Sequence, residues 1–212
     1  MNFLRKLLGN SNNRAEEMNR IAAELNLSYQ ENYNTGIIQQ LSDFKLFQYG
    51  SSQKITNLIS ESELNSQNHL FDFEYVISTG KSSVRFNQTV LFVNSKTLSL
   101  PQFYQKPEDF FTKLISYLGF EDIDFSNFPE YSEKFHLKGE FEEVIRYYFS
   151  KEVLELLSRQ NAFHMEAMNY YFIIYQSNKL CPIHEIKAFR NMGIMLYKLF
   201  QIRSSDSENM KF

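Results

Sequence analysis

Residues 70–93 hold the feature that most constrains this chain: two apolar-polar alternating runs on either side of Gly80-Lys81. An alternation of period two reads as a half-buried strand, and a glycine in a two-residue loop supplies the φ > 0 that a tight hairpin turn needs. Folding the chain about Gly80-Lys81 sets Ile77 against Val84, Tyr75 against Phe86, Phe73 against Gln88 and Phe71 against Val90. Almost every ring and branched chain then shares one face, while Asp72, Glu74, Arg85 and Asn87 take the other. A slip of one residue would reverse every side chain, so the pattern selects its own register.

Other short runs rich in aromatic and β-branched residues surround this hairpin. The same reading predicts strands over Phe44 to Tyr49, Ile55 to Glu61 and Leu98 to Phe103, another around Phe135 to Lys138, and a second hairpin, Ala162 to Ala167 with Tyr170 to Gln176, turning at Met168-Asn169. Leu27 to Leu41 reads as short extended pieces. Spacings of three and four predict helices over Arg14 to Asn26, from Pro107 to Gly119, over Glu140 to Phe149 and Lys151 to Ser158, and from Pro182 to Arg203. Asn13 and Ser150 are the expected N-caps of two of them.

The expected architecture is α+β: a curved antiparallel sheet with helices packed on one face and a long C-terminal helix. The expected domain is single, residues 14–203, after an N-terminal apolar-basic segment, residues 1–13, and before a frayed tail, residues 204–212. The 34 aromatic residues, 21 Phe and 13 Tyr with no Trp, are the main burial payload of such a core.

Charge and cysteine content exclude several classes. A net charge of -3, with basic residues scattered among acidic ones, gives no electrostatic footprint for nucleic acid. One cysteine excludes an intramolecular disulfide framework and, without a signal-like start, points to the cytoplasm. Phe3, Leu4, Leu7 and Leu8 with Arg5 and Lys6 have the makings of a weak peripheral membrane contact, although docking on the domain itself or on a partner chain is the favoured use.

No motif specifies a reaction. Gly80-Lys81-Ser82 mimics the end of a phosphate-binding loop, but the glycine required five positions earlier is Tyr75, and the segment joins two strands. Cys181 and His184 have a two-ligand zinc spacing that would need His136 or His164 to converge; a small apolar cysteine ahead of a helix is the simpler reading, so no metal or cofactor is expected. Glu121, Asp122 and Asp124 read as a solvated turn with Ile123 and Phe125 inward. No G-x-S-x-G nucleophile elbow is present. His164 and Glu166 share one strand face and form the one acid/base pair worth carrying as an enzyme reading.

Gln88 interrupts an apolar face, and a buried amide needs a partner. Main chain or water satisfies it in the simplest case; the alternative is a small-molecule cleft lined by Phe71, Phe73, Tyr75 and Phe86. The last helix is apolar nearly all round, because Met192, Met195, Tyr197 and Leu199 widen its inner stripe, and these residues are the expected interface with a protein partner or a second copy.

LFQYGSSQKITNLISES followed by HLFDFEYVISTGKSSVRFNQTVLFV, with DIDFSNFPEYSEKFHLKGE and EEVIRYYFSKEVLELL further on, resembles a bacterial family of unknown function. Its pattern is an LF-x-x-G start, an FD-[FY]-x-Y strand and a Q-T-V strand. The resemblance spans residues 14–203 and implies an intact family domain with no activity to carry over. That family's closing hairpin often has glycine at its turn, where Met168-Asn169 stands here. The function expected from all this is a non-catalytic interaction or scaffold domain.

Overall fold

A computed structural model describes residues 3–33, 36–108 and 122–209, with side chains described over 13–32, 36–108 and 122–206. The chain is α+β, with eight strands among the described residues and a C-terminal helix described over 24 residues. It divides into two compact units, Met1–Leu91 with Ser177–Asn191 and Phe92–Gln176 with Met192–Phe212.

The first unit contains helix α1 (Phe3–Glu24), strand β1 (Ser28–Tyr33), the short helix α2 (Ile37–Leu41), β2 (Ser51–Ser62), β3 (Ser66–Ser78) and most of β4 (Ser83–Ser95). The order is β1-β2-β3-β4, with β1 antiparallel to β2 and β2 to β3. The β3–β4 hairpin has the expected register. Thr79 N–H donates to the Ser82 carbonyl at 2.9 Å, closing a two-residue loop in which Gly80 has φ 81°. The Tyr75 and Phe86 rings stack at 5.1 Å, and Thr89 Oγ1 reaches Asp72 at 2.7 Å, as pairing about Gly80-Lys81 requires.

Phe44 to Tyr49, expected as a strand, is instead dominated by a 3-10 helix, Lys45–Gln48. Its tight turn brings Leu46 and Phe47 inward together, which a strand could not do, and seats the Phe47 ring 4.3 Å from Phe73 and 6.4 Å from Phe71. The turn leads to Gly50 at φ 71°, where a Cβ would lie 2.6 Å from the Tyr75 ring and 2.7 Å from the Val76 carbonyl oxygen. α1 begins at Phe3, so the helix runs through Asn13, the residue expected to cap it. The weakly patterned Leu27 to Leu41 stretch contains β1 and α2.

The second unit continues β4 and adds β5 (Leu100–Pro107), α3 (Pro129–Ser132), β6 (Phe135–Gly139), α4 (Glu142–Tyr148), α5 (Lys151–Ser158), β7 (His164–Asn169), β8 (Tyr171–Tyr175) and most of α6 (Ile186–Asn209). Its strands run in the order β4-β8-β7-β5-β6. Register pairs Phe103 with Ala167, and Ala167 with Phe172, on one face of the sheet. That face carries the core: the Phe200 ring of α6 lies 5.8 Å from Phe172, 6.2 Å from Phe103 and 6.2 Å from Phe149.

The second hairpin turns one residue later than expected. Met168 pairs with Tyr171, which leaves Asn169 and Tyr170 in the loop and Asn169 at φ 50°, a conformation asparagine tolerates. α6 continues past Arg203 to Asn209, and Ser204 is buried, with its hydroxyl accepting from Ser99 N–H at 3.0 Å. The helix expected from Pro107 to Gly119 lies, beyond Glu108, outside the described residues.

Gly50 and Gly80, both at positive φ, separate backbone strain from steric conflict. Gly80→Ala adds a Cβ with nothing within 4 Å, so it costs only the left-handed penalty, about 1 kcal/mol. Gly50→Ala adds a clash with backbone and ring, and is expected to cost about 3 kcal/mol. Urea unfolding of the two variants against wild type reads the difference; equal losses would contradict the close approach at Gly50.

Candidate functional site

Polar groups that sequence reasoning would place on surfaces are drawn inside both units. In the first, Asp72 is buried on the hairpin face opposite the rings. Arg14 of α1 grips its carboxylate through Nε at 2.6 Å and Nη2 at 2.8 Å, and reaches the Cys181 carbonyl through Nη1 at 3.0 Å. Thr89 donates to Asp72 and accepts from the Cys181 N–H at 2.9 Å. Asn57, at φ 54° within the register shift of β2 between Thr56 and Ile59, points its amide at Asp72 (2.9 Å) and accepts from the Tyr29 hydroxyl (3.0 Å). Burial first, then the Glu31 and Asp72 charges, pushes that hydroxyl up to about 12.

Gln88 is fully buried. Its Nε2 donates to the Phe73 carbonyl at 3.4 Å and its Oε1 accepts the Asn178 N–H at 3.2 Å. Main-chain groups therefore use both ends of the amide, and no ligand is needed to account for it. Phe71, Phe73 and Tyr75 are buried, and Phe86, half-buried, completes a ring stack that begins at Phe47. Cys181 is buried with its thiol pushed up to about 11, chiefly by desolvation, while His184 lies in solvent beside Glu185.

In the second unit His164 and Glu166 are both buried, on the sheet face opposite Phe103. The Tyr104 hydroxyl meets His164 Nδ1 at 2.9 Å, and the Tyr175 hydroxyl donates to Glu166 at 2.9 Å. The His164 and Tyr175 rings stack at 4.8 Å. Burial, helped by the Lys106 charge, pushes the imidazole down to about 3, and burial with the Glu166 charge holds the Tyr175 phenol well above its usual range. Such a neutral ring is a poor general base at neutral pH. His69 in the first unit, bonded to Ser60 Oγ at 2.8 Å, is pushed down to about 4 by burial.

An open concavity of about 930 Å³ in the second unit has a different character. Phe125, Phe128, Phe149 and Leu154 give it an apolar floor, and Glu108, Asp124, Glu133, Arg146 and Lys151 give it a rim of both signs. The β6–α4 segment and the N-terminus of α5 position Phe149 and Lys151, while the loop before α3 presents Phe125 to Phe128. Arg146 lies 5.1 Å from the centre of the Phe125 ring and donates to the Asp124 carbonyl at 2.8 Å. Asp122, part of the acidic turn, binds His136 Nδ1 and the Leu137 N–H, and Ile123 beside it is buried. Glu121 lies outside the described residues. Sequence pattern gives no hint of this concavity, since its lining comes from three separate stretches, Glu108, 124–133 and 146–154.

The α6 residues divide by face. Met192 and Tyr197 are buried, Leu199 is half-buried, and Met195 and Ile202 are 53% and 59% exposed. The side chains of Phe3, Leu4, Leu7 and Leu8 are outside the described set. Among the described residues no helix is long and apolar enough to cross a membrane, and no group of three His, Cys, Asp or Glu side chains could hold a metal ion.

The buried histidines set the sign of the acid response. The fold accepts each as a neutral ring, so its folded pKa is depressed to about 4 for His69 and about 3 for His164. The unfolded chain takes up both protons below about 6.5, so stability is full above that pH and falls as pH drops toward those folded values. The limiting slope is about 1.4 kcal/mol per pH unit for each ring. Urea midpoints between pH 7.5 and 5 are expected to fall with acid, with a shallower fall in His164→Gln; identical slopes in the two proteins would contradict burial of a neutral His164.

No protein-family model and no curated protein matches the chain. It is similar in fold to the crystal structure of the mycobacterial trehalose monomycolate transport factor A, TtfA, with a TM-score of 0.60 at 9% identity, over 89% of this chain and 93% of that one.

Proposed function

We propose that this chain is a non-catalytic interaction domain that receives a partner in the concavity of its second unit. The observation that carries the reading is the unequal treatment of its polar groups. The acid/base candidates His164 and Glu166 are buried and each is bound by a tyrosine hydroxyl, whereas the apolar floor of Phe125, Phe128 and Phe149 lies beneath an open, mixed-charge rim. A concavity of this size with a few convergent polar groups suits an apolar or aromatic side chain of a partner, flanked by charges of either sign. The similar fold belongs to a protein named as a transport factor. The enzyme reading, with His164 and Glu166 as an acid/base pair, needs a basic and accessible imidazole, and burial works against both requirements.

A second reading, self-association, is favoured by α6. Met195, Leu199 and Ile202 are spaced i, i+4 and i+7, and two of the three are more than half exposed.

Native mass spectrometry of the chain isolated from its source cell tests both. Phe128→Ala is expected to reduce the bound-partner fraction at least tenfold while the thermal midpoint moves only a few degrees. Met195→Glu with Ile202→Glu leaves that fraction alone and abolishes any dimer, at a stability cost within about 0.5 kcal/mol. Full partner retention by Phe128→Ala would sink the concavity as the docking surface.

A further inference from the structure

The concavity of the second unit has a neighbour. A smaller open concavity of about 430 Å³ adjoins it, and Glu108 and Glu133 line both. Asp124 lines only the larger one. Glu130 lines only the smaller, and it precedes Glu133 by three residues across the short helix α3. Carboxylates therefore follow one groove, from the Phe125 and Phe128 rings to the wall that the two concavities share.

Charges of both signs line this groove, but they are not equally free. Arg146 is committed within the fold: its Nε and Nη2 reach Glu142 Oε1 at 2.8 and 2.7 Å, and its Nη1 reaches the Asp124 carbonyl at 2.8 Å. Lys134 Nζ is held by the Ser158 and Gln160 carbonyls. Lys151 is the most open of the three, its side chain 71% exposed and 3.7 Å from Glu155 along α5. Of the acids, Glu108 meets His136 Nε2 at 2.7 Å. Asp124, Glu130 and Glu133 are exposed, and among the described residues no cation pairs with any of their carboxylates.

We propose that the partner of this groove is a basic-apolar protein segment. It seats an aromatic or aliphatic side chain on the Phe125 and Phe128 floor and sets a lysine or arginine beside it, at the wall of Glu130 and Glu133. This rests on the concavity being the docking surface and names the chemistry that the surface takes. A carboxylate already paired gains little from a second cation, whereas an unpaired one beside apolar surface gains a charge-assisted hydrogen bond as water is excluded. An acidic partner meets the reverse. Its charge lies against three unpaired carboxylates, and Arg146 turns to it only by leaving Glu142 and the Phe125 ring. Lys151 favours an acidic partner, but one exposed ammonium does not offset those three acids.

Backbone amide shifts of the full-length chain, titrated with two capped peptides, test it. One peptide has a central phenylalanine between two lysines; the other has glutamates in place of the lysines. The lysine peptide is expected to move the amides of residues 124–133 and to bind about tenfold more tightly than the glutamate peptide, with the gap narrowing in high salt. Glu133→Lys is expected to weaken the lysine peptide about tenfold, and Lys151→Glu to leave it unchanged or tighter. Both positions are exposed, so neither reversal disturbs the fold. Equal binding of the two peptides, loss of the lysine peptide in Lys151→Glu but not in Glu133→Lys, or no shift at those amides even at millimolar peptide overturns the basic partner. The docking reading is decided separately, by whether Phe128→Ala keeps or loses the partner from the source cell. If that partner is lost while the two peptides bind equally, the concavity stands as the docking surface and its charge preference alone fails.

Discussion

The pairing of β3 with β4 about Gly80-Lys81 is the constraint on which the first unit depends. It places Phe71, Phe73 and Tyr75 on one face and, by the same alternation, Asp72 and Thr89 together on the other. A slip by one residue would turn Thr89 to the ring face and remove its hydroxyl from Asp72. The ion pair is expensive to desolvate, and its cost is offset because every lobe of the Asp72 carboxylate has a donor: Arg14 twice, Asn57 and Thr89. Removing one partner would leave a buried charge poorly compensated, so the network ties α1, β2, β3 and β4 to a single geometry more than it adds net stability.

The histidines show how neighbours decide what one side-chain type does. His164 and His69 are surrounded so that the neutral ring is preferred: desolvation dominates, and each ring's Nδ1 meets a hydroxyl that can adapt to a neutral partner. His136 is instead half-buried between the Glu108 and Asp122 carboxylates. Acid therefore strains the first two environments. The difference arises from neighbours that lie on other strands, not from anything adjacent in sequence.

That distinction marks what the sequence discloses. The hairpin register was legible because a period of two, a turn glycine and an unbroken set of rings all gave the same answer. The second hairpin was displaced by one residue because both Met168 and Asn169 were read as loop, whereas Asn169 alone takes the left-handed conformation and Tyr170 follows it. Phe44 to Tyr49 misled because an aromatic run looks alike as strand or 3-10 helix, and the choice depends on the rings of β3 that it must cover. Asp72 and the second-unit concavity were illegible for a common reason: their partners, Arg14 and Asn57 for the one, three scattered stretches for the other, are brought together only by tertiary structure.

Catalysis and binding make different demands on polar groups. A general base must be reachable and near neutrality in its proton affinity, and a stabilising network achieves the reverse by burying and saturating its members. His164, Glu166, Asp72 and Gln88 all follow the second pattern, each accounted for by tyrosine, arginine or main chain. What is left open to solvent is apolar surface next to charges, at the floor of the concavity and along Met195 and Ile202. Surfaces of that composition gain free energy when another molecule covers them, and no reaction is required for that gain. The proposed interaction role rests on that exposed minority of apolar groups, since most of the others are buried in the core.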